Sequence, residues 1–384
     1  MRKLRMGMIG GGPGAFIGAV HRSAAALDGL IVLVCGAFSS DPEKSKSMAG
    51  ELDLPPERVY GSWEEMIRKE AAMPEEERME IVSIVTPNHL HFGPAKMALE
   101  SGFDVIMDKP MTFTLDEAKE LKKVVEKTGR YLCLTHTYSG YPMIKEAKEQ
   151  VRSGALGTIR KIFVTYPQGW LSQYLEATGY KQAEWRTDPS RSGAAGAMGD
   201  IGTHAFNLTE YVTGLQVTAL CAQLNIVVEG RKLDDDGAVL LQYNNGATGV
   251  LMASQIMAGE ENNLTIKVYG EKGGLEWSHA DANSLLVKML DAPYQTLRAG
   301  NGYLSELARH NTRTPWGHPE GFFEAFANHY RNFALCVEAR KNGGQPKAEW
   351  LDFPTVDDGV RGMAFIENVI ASGKSEKKWT AFEV

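Results

Sequence analysis

Three groups of residues in this sequence have types and spacings that suit chemistry on a small molecule. A glycine-rich run follows the first apolar segment, a lysine stands within Asp108-Lys109-Pro110, and Asp200 precedes His204 by four residues. An ammonium group stabilises negative charge that develops on oxygen, and an imidazole with a pKa near ~6.5 moves protons at neutral pH. Together these groups indicate acid–base chemistry beside a bound nucleotide.

The glycine-rich run, Ile9-Gly10-Gly11-Gly12-Pro13-Gly14-Ala15-Phe16-Ile17-Gly18, comes directly after a strand-like segment and opens a predicted helix. Gly10 and Gly12 have the spacing that permits a tight turn close to a pyrophosphate, and the helix N-terminus behind them offers free N–H groups. Ala15 stands where the usual third glycine would be, and Gly18 is the alternative for that packing role. We predict a dinucleotide-binding loop, with a glycine turn that binds no ligand as the alternative. The predicted contacts are Gly10, Gly12, Pro13, Ala15, Phe16 and Ile17.

The end of the second predicted strand, residues 30–38, bears on the choice between NAD and NADP. The acid that usually grips the adenosine ribose at this place is replaced by Ser39 or Ser40. Without a carboxylate a 2′-phosphate meets no repulsion, and Lys44 follows one helical turn later. Serines also hydrogen-bond an unphosphorylated ribose. Both cofactors therefore stay open, with NAD favoured.

Two further polar segments follow predicted strands, at the carboxyl ends where open α/β sheets bind ligands. One is Thr86-Pro87-Asn88-His89-Leu90-His91, and the other is Asp108-Lys109-Pro110. His89 and His91 suggest a metal, but no third ligand has a matching spacing, so we expect none. One imidazole is instead expected to cap the following helix or to line the nicotinamide side. Lys109 is expected to act chemically, with a structural ion pair as the alternative.

Asp200 and His204 end a glycine-rich lead, Gly193 to Gly199. If residues 198–212 are helical, the two side chains share one face with Cβ atoms ~6 Å apart. A carboxylate at that distance orients or polarises the imidazole. A structural hydrogen bond is the alternative for such a pair taken alone.

The elements that must position these groups change character near residue 137. Up to there, short apolar strands alternate with helices, which predicts a doubly wound parallel sheet of the Rossmann type. Thr114 begins the clearest helix, because Glu117 completes a capping box. Beyond it, several strands joined by hairpin turns at residues 243–246 and 270–274 predict an α+β domain with a large, mainly antiparallel open sheet. The predicted domains are 1–137, for the dinucleotide, and 138–384, for the substrate and for oligomerisation.

Composition excludes several classes of protein. The chain has 384 residues, 43% hydrophobic and 23% charged, which excludes a disordered or low-complexity polypeptide. A formal net charge of −7 argues against nucleic acid as a partner. No apolar run approaches the ~18 residues of a membrane span, and we find no targeting segment. The four cysteines form no CxxC pair, so we expect a cytoplasmic protein with reduced thiols.

These motifs make the chain resemble the Gfo/Idh/MocA oxidoreductases, the family of glucose–fructose oxidoreductase and inositol dehydrogenase. The family's Glu-Lys-Pro motif is present as Asp108-Lys109-Pro110, with the shorter acid, and its glycine-rich lead into D-x-x-x-H is present as Gly196 to His204. The resemblance implies that Lys109, Asp200 and His204 form the catalytic set. It also implies that further residues approach the cofactor, namely Thr86, Pro87, Asn88, His91 and Asp108.

Within the family, the chain is most similar to sugar and cyclitol dehydrogenases, including the levoglucosan type. The residues that would then line a sugar pocket are Tyr166, Gln168, Trp170, Trp185 and Arg186. Aromatic faces pack against C–H groups of a polyol while the polar side chains bind its hydroxyls. His318 lies in a further pocket loop, Gly317 to Gly321, for which a structural helix start is the alternative. The open sheet face is implied to form a homodimer or homotetramer.

The resulting hypothesis is hydride transfer between a secondary hydroxyl of a sugar, anhydrosugar or cyclitol and the nicotinamide of NAD or NADP. His204 would be the general base, Lys109 would stabilise the alkoxide, and Asp200 would fix His204 or bind a neighbouring hydroxyl. One alternative is a glycosidase of the same fold that oxidises its substrate transiently with a tightly held NAD. Another is a non-catalytic sensor of sugar and dinucleotide.

Overall fold

The computed structural model describes residues 2–384. Fourteen strands run through these residues: β1 Leu4–Gly10, β2 Ile31–Ala37, β3 Ile81–Val85, β4 Asp104–Met107, β5 Leu132–Leu134, β6 Ile159–Pro167, β7 Val217–Asn225, β8 Asp236–Tyr243, β9 Thr248–Ser254, β10 Thr265–Gly270, β11 Gly273–Ser278, β12 Ser284–Met289, β13 Gln295–Arg298 and β14 Thr380–Ala381. The α-helices of the same residues are α1 Phe16–Leu27, α2 Pro42–Glu51, α3 Trp63–Ala72, α4 Phe92–Glu100, α5 Leu115–Thr128, α6 Pro142–Arg152, α7 Lys181–Arg186, α8 Pro189–Ser192, α9 Thr203–Thr213, α10 Glu306–His310, α11 Phe322–Lys341 and α12 Val356–Gly373.

The first unit of the structure is built on a five-stranded parallel sheet with strand order β2-β1-β3-β4-β5. Strands β3, β4 and β5 are buried along their whole length, because helices cover both faces of a doubly wound sheet. The chain order reverses direction between β1 and β3, and their carboxyl ends therefore flank the topological switch point, where such sheets bind ligands. The predicted Rossmann-type sheet is confirmed.

The predicted start of α5 is confirmed by its hydrogen bonds. The Thr114 hydroxyl accepts from the Glu117 backbone N–H at 3.2 Å, and the Glu117 carboxylate accepts from the Thr114 N–H at 3.3 Å. Two of the otherwise unpaired donors of the helix end are thereby satisfied. Gly129 ends the helix with a positive φ of 63°.

The predicted second domain, 138–384, needs a correction. The first unit consists of residues 2–137 together with Phe322–Val360, and the second consists of Tyr138–Gly321 with Arg361–Val384. Helix α11 packs into the same hydrophobic cluster as β1 and α1. The sequence alone could not predict this return to the first unit, because the apolar face of a helix does not specify which sheet it will pack against.

Ion pairs also hold α11 within the first unit. The Arg340 guanidinium contacts Asp104 at the start of β4, and the Lys341 ammonium contacts Glu80, just before β3. Both acids are buried, so each charge needs its partner. The C-terminal end of α11 is therefore fixed at the amino edge of the parallel sheet.

The second unit contains a nine-stranded sheet of order β13-β12-β11-β10-β6-β9-β8-β7-β14. Neighbouring strands pair antiparallel except β6 and β9, which are parallel. The hairpins β8–β9 and β10–β11 turn at the predicted glycine-containing segments, and buried and exposed residues alternate along β8. The predicted large, mainly antiparallel sheet is confirmed. No helix within residues 2–384 is both long enough and apolar enough to cross a membrane.

The assignment of α11 to the first unit leads to a stability prediction. Phe333 is 0% exposed in the first unit's core, whereas Phe323, on the same helix, is 46% exposed. Truncating a buried Phe removes apolar burial and leaves a cavity, so Phe333→Ala should lower the free energy of unfolding by about 3–5 kcal/mol. Urea denaturation followed by circular dichroism measures this change. Phe323→Ala is the matched control and should stay within about 0.5 kcal/mol of the parent. Equal losses in the two variants would contradict the assignment of α11 to this core.

Candidate active site

The glycine loop between β1 and α1 is shaped by two close backbone contacts. A Cβ at Gly12 would lie 2.5 Å from the Phe38 carbonyl oxygen, and a Cβ at Gly18 would lie 2.4 Å from the Gly11 Cα. Only glycine permits either approach. Gly18, rather than Ala15, thus performs the packing that the third glycine usually provides, as the sequence left open.

Helix α1 presents an open N-terminus to this loop. It begins at Phe16 after Ala15, whose side chain cannot cap it, and its first turn carries no acid. Pro13 and Phe16 are exposed, whereas Ile17 is half-buried. Uncapped N–H groups and the helix dipole form an anion site. The loop therefore has the free donors that a dinucleotide pyrophosphate requires.

After β2, a carboxylate directly follows the two serines that stand at the predicted ribose position. Asp41 caps α2 by accepting from the backbone N–H groups of Glu43 and Lys44, at 3.0 and 3.4 Å. The Lys44 ammonium lies 3.6 Å from the same carboxylate. The bond from the Lys44 N–H and the lysine's charge both hold the pKa of Asp41 below its usual value. Half-buried Ser39 accepts from the Asp41 N–H at 3.2 Å, and Ser40 is exposed.

His91 connects the segments that follow β3 and β4. Its ring is fully buried, with Nδ1 2.8 Å from the Pro110 carbonyl oxygen and Nε2 2.8 Å from that of Thr86. Burial lowers the pKa of this imidazole. Because both nitrogens face backbone carbonyls, the ring neither caps α4 nor reaches outward. A cofactor contact by His91 is thus less direct than expected, while half-buried Thr86 and Pro87 border the same edge.

Asp108 follows β4 and is held by two side chains of the first unit. One carboxylate oxygen accepts from the Thr135 hydroxyl at 2.8 Å and lies 3.3 Å from His21 Nε2. Burial acts to raise the pKa of Asp108, but His21 and Thr135 outweigh it, and the pKa lies below its usual value. Asp108 is therefore a carboxylate that stays ionised in a half-buried position.

Lys109 and His136 follow the neighbouring strands β4 and β5. Burial, and next to it the charge of Lys109, lower the pKa of His136 to about 3. His136 is thus a neutral imidazole near the ammonium, and sequence reasoning missed it because its segment carries no motif. The Lys109–Pro110 peptide bond is cis.

In the second unit, the backbone before Asp200 departs from the predicted α-helix over residues 198–212. Residues Met198–Gly202 form a π-helical turn, and only Thr203–Thr213 are α-helical. The Asp234 carboxylate holds the entry to this turn by accepting from the N–H groups of Gly196 and Met198 at 2.7 and 2.8 Å. Burial raises the pKa of Asp234 despite these bonds. Such turns in helices often occur at functional sites.

The Asp200 carboxylate contacts side chains that its four-residue spacing from His204 could not predict. Gln255 Nε2 donates to it at 2.9 Å, and Arg186 Nε lies 3.4 Å away. The Arg186 guanidinium also lies over the Trp185 ring, 4.3 Å from its centroid. Gln255 was not singled out from the sequence, although it directly follows β9, which pairs with β6.

A network of amides and hydroxyls extends from Gln255 along the ends of β6 and β10. Gln255 Nε2 donates to Gln168 Oε1 at 3.4 Å, and Gln168 Nε2 donates to Asn262 Oδ1 at 2.7 Å. The Tyr166 hydroxyl also donates to Asn262 at 2.7 Å and contacts the Tyr138 hydroxyl. The structure thus brings the predicted residues Tyr166 and Gln168 together with Asp200 and adds the unpredicted Tyr138 and Asn262.

His204 lies beside the two tyrosines of this network. Its half-buried ring is perpendicular to Tyr138 at a centroid distance of 5.1 Å and is 6.4 Å from Tyr166. Burial raises the pKa of both phenols, so they stay protonated and polar without competing as bases.

The loop that carries Trp170 is held by hydrogen bonds to Gln168 and from Arg231. The indole N–H donates to Gln168 Oε1 at 3.0 Å. Arg231, buried, donates to the carbonyls of Leu171 and Gln173 and pairs with Glu176 and Asp235. Breaking such a buried pair is costly, so the loop has a fixed conformation.

The predicted His318 lies on the surface of the second unit. It is exposed, and its Nδ1 lies 3.3 Å from the Trp316 carbonyl within its own loop. Buried Glu320 organises that loop by accepting from the Thr314 N–H at 2.6 Å. A substrate contact by His318 stays a prediction. Among residues 2–384, no group of three or more His, Cys, Asp or Glu side chains could hold a metal.

Comparison with known families identifies both units. Residues 4–136 match the oxidoreductase family with an NAD-binding Rossmann fold, and residues 144–276 match the GFO/IDH/MocA C-terminal domain. An uncharacterised oxidoreductase of Bacillus subtilis, YfiI, is 32% identical over 100% of this chain and 98% of its own length. The levoglucosan dehydrogenase of Pseudarthrobacter phenanthrenivorans is 26% identical over 75% of this chain and 76% of its own.

Among solved structures, an inositol dehydrogenase homologue of Azotobacter vinelandii is closely similar. Its complex with NAD⁺ has a TM-score of 0.93, and its complex with NADH and myo-inositol has one of 0.90. Both are 33% identical and cover 99% of this chain and 98% of theirs. The likeness extends over both units.

The glycine contacts lead to a prediction for nucleotide binding. Gly18→Ala should distort the loop against Gly11, and overpacking of this kind costs roughly 1–3 kcal/mol, so NADH should bind about tenfold more weakly. Fluorescence titration with NADH measures the dissociation constant. Gly50→Ala is the control, since its Cβ would meet nothing within 4 Å. Unchanged NADH affinity in Gly18→Ala would remove this contact from the binding loop.

Proposed function

The chain belongs to the GFO/IDH/MocA oxidoreductases with an NAD-binding Rossmann domain, and on that premise we propose that it oxidises a secondary hydroxyl of a sugar, anhydrosugar or cyclitol. The observation that carries the proposal is the network from Asp200 through Gln255 and Gln168 to Asn262. It sets carboxylate and amide oxygens beside amide N–H groups. A polyol hydroxyl both donates and accepts, and therefore suits such a surface.

The first unit fits the dinucleotide that the family implies. The tight turn that Gly12 permits against Phe38, and the open N-terminus of α1 behind it, suit a pyrophosphate. The residues that would hold the dinucleotide are those of the glycine loop, with Ser39, Thr86 and Asn88 at the ends of the neighbouring strands. NAD, when bound, supplies the hydride acceptor.

The chain's own residues are proposed to handle the proton and the developing charge. His204, beside two protonated phenols, takes the proton of the reacting hydroxyl. The ammonium of Lys109 stabilises the alkoxide that remains. Since the Asp200 carboxylate bonds Gln255 and Arg186, we propose that it binds a neighbouring substrate hydroxyl rather than only orienting His204.

The pairing of Arg186 supports an uncharged substrate. Its guanidinium lies against Asp200 and over Trp185, so its charge is balanced within the second unit. A phosphorylated or carboxylated substrate would have to compete with Asp200 for it. A neutral polyol instead adds hydroxyls to an arrangement that is already balanced, with Trp170 and Trp185 offering apolar faces.

The proposed function is tested by a substrate panel. Purified protein is incubated with NAD⁺ or NADP⁺ and with cyclitols, aldoses, anhydrosugars and one sugar phosphate, while absorbance at the NADH band is followed. We expect net formation of NADH with at least one neutral polyol, and none with the sugar phosphate.

Two other outcomes would contradict the proposal in different ways. Cleavage of a glycoside without net NADH would identify the transient-redox glycosidase. Binding of polyol and NADH without turnover of any substrate would identify a sensor. The two cofactors in the panel also decide between NAD and NADP.

A substitution at Lys109 tests its proposed role directly. Lys109→Met keeps the length of the side chain but removes the charge, so kcat should fall by about 10²–10³-fold while the NADH dissociation constant stays within about threefold. Steady-state kinetics and NADH titration measure the two quantities. Lys123→Met, at an exposed position of α5, is the control. Unchanged kcat in Lys109→Met would remove Lys109 from the chemistry.

We further propose that the open face of the nine-stranded sheet mediates self-association. Phe163, Val250 and Leu240 lie in one row across β6, β9 and β8. Phe163 is 38% exposed and Leu240 is 44% exposed. An exposed apolar row of this kind on one face of a sheet is typical of a surface that a second copy covers.

The association should be lost when this row becomes charged. Replacing both Phe163→Glu and Leu240→Glu should convert a dimer or tetramer to a monomer, because two copies of the row would bring like charges together. Light scattering coupled to size-exclusion chromatography measures the mass. Leu351→Glu, at an exposed position of the first unit, should leave the mass unchanged. A monomeric parent protein would contradict the proposal.

A further inference from the structure

A buried chain of polar side chains lies behind Asp108 in the first unit. It consists of His21 on α1, Ser83 on β3 and Tyr330 on α11, all three essentially inaccessible to solvent. None of them belongs to a motif of the sequence, and none has a role in the chemistry described above. Buried polar groups are retained when they are fully bonded.

The geometry connects these groups into one relay. His21 Nε2 lies 3.3 Å from Asp108 Oδ1, and His21 Nδ1 lies 2.7 Å from the Tyr330 hydroxyl. The Ser83 hydroxyl lies 2.9 Å from the same phenol oxygen. The edge of Phe326 packs on the imidazole at a centroid distance of 4.7 Å. This packing and the bond to Tyr330 together restrain the ring beside the carboxylate.

These contacts allow one continuous direction of donation. When the Ser83 hydroxyl donates to Tyr330, the Tyr330 hydroxyl can donate to His21 Nδ1, and His21 Nε2–H can then donate to Asp108. The phenol thus fixes the tautomer, and it keeps its proton because burial raises its pKa well above the usual value. Each donated bond polarises the next toward the negative carboxylate.

The surroundings of Asp108 include groups that favour its ionised form and one effect, burial, that favours its neutral form. The carboxylate is partly buried, with 18% of its side chain exposed, and partial burial by itself favours its neutral form. His21 and the Thr135 hydroxyl oppose this effect, as does the nearby imidazole of His91. The charge of Asp108 raises the pKa of the neighbouring His136, whereas the charge of Lys109 lowers it. The ionised state of Asp108 therefore depends on donors that lie behind it.

We propose that His21 is a positioning residue which, fixed by Tyr330, holds Asp108 ionised and in one orientation at the carboxyl end of β4, and thereby sets the affinity for the nicotinamide cofactor at mildly acidic pH. The proposal rests on the proposed function only in that Asp108 lies at the cofactor. It also gives a reason for the return of α11 to the first unit, because that helix supplies the phenol.

Four variants test the relay through NADH binding. His21→Leu removes the donor to Asp108, and His21→Gln keeps an amide N–H at a similar reach. Tyr330→Phe removes only the hydroxyl that fixes the tautomer. Tyr60→Phe is the matched control: its buried hydroxyl donates to Glu70 at 2.8 Å in the same unit, away from Asp108. NADH dissociation constants are measured by fluorescence from pH 5 to pH 8, with thermal unfolding of each variant recorded.

The expected results follow from the loss of a hydrogen bond to a charged group. His21→Leu should weaken NADH binding about tenfold at pH 6, and Tyr330→Phe should weaken it about threefold. Without the donor, the pKa of Asp108 rises, so the loss of affinity on acidification should begin at a higher pH than in the parent. His21→Gln should restore binding to within about threefold, and Tyr60→Phe should leave both affinity and pH profile unchanged even if it lowers the unfolding temperature.

Several results would overturn the inference. One is an affinity and pH profile for Tyr330→Phe that match those of Tyr60→Phe. Another is a His21→Gln variant that binds as weakly as His21→Leu. The NADH titration contains no polyol. A failure to oxidise any sugar would therefore contradict the proposed function without affecting the test of the relay. Should His21→Leu fail to fold, Tyr330→Phe and His21→Gln still decide the question.

Discussion

The first unit depends on the contact between the start of α1 and the glycine loop. Gly18 can lie against Gly11 only because it has no Cβ, and this approach fixes where α1 leaves the sheet. The same helix then presents its open N-terminus to a dinucleotide and, one turn later, places His21 behind Asp108. The dinucleotide site and the charge of Asp108 at the carboxyl edge of the sheet therefore both depend on the absence of a Cβ at Gly18.

The second unit solves a different problem, which is to present many neutral polar groups without leaving them unpaired. Amides from Gln168, Gln255 and Asn262 bond one another and the tyrosine hydroxyls. Only one carboxylate, Asp200, and one guanidinium, Arg186, join them, and they balance each other. A surface of this kind favours ligands that exchange hydrogen bonds one for one, as sugars and cyclitols do.

Features that depend only on neighbouring residues were the ones that the sequence predicted correctly. The capping box of Thr114 and Glu117 needs only neighbouring residues, and α5 begins where it indicates. The π-helical turn before Thr203 was invisible, because it depends on Asp234, which bonds Gly196 and Met198 from a distant segment. Residues 322–341 fell within the predicted second domain, but α11 packs in the first unit, since amphipathic spacing does not specify which core an apolar helix face will join.

By itself, the sequence determined the parallel sheet, the glycine loop at its switch point, the mainly antiparallel second sheet and the family that these motifs identify. Each follows from spacing along the chain, which survives without coordinates. Only the tertiary structure decided that Gly18 packs the loop, that His21 and Tyr330 support Asp108, and that Gln255 and Asn262 join the polar network. The hydrogen bonds of His21, Tyr330, Gln255 and Asn262 join residues that are tens to hundreds of positions apart, so they exist only once folding has brought the segments within about 3 Å of one another.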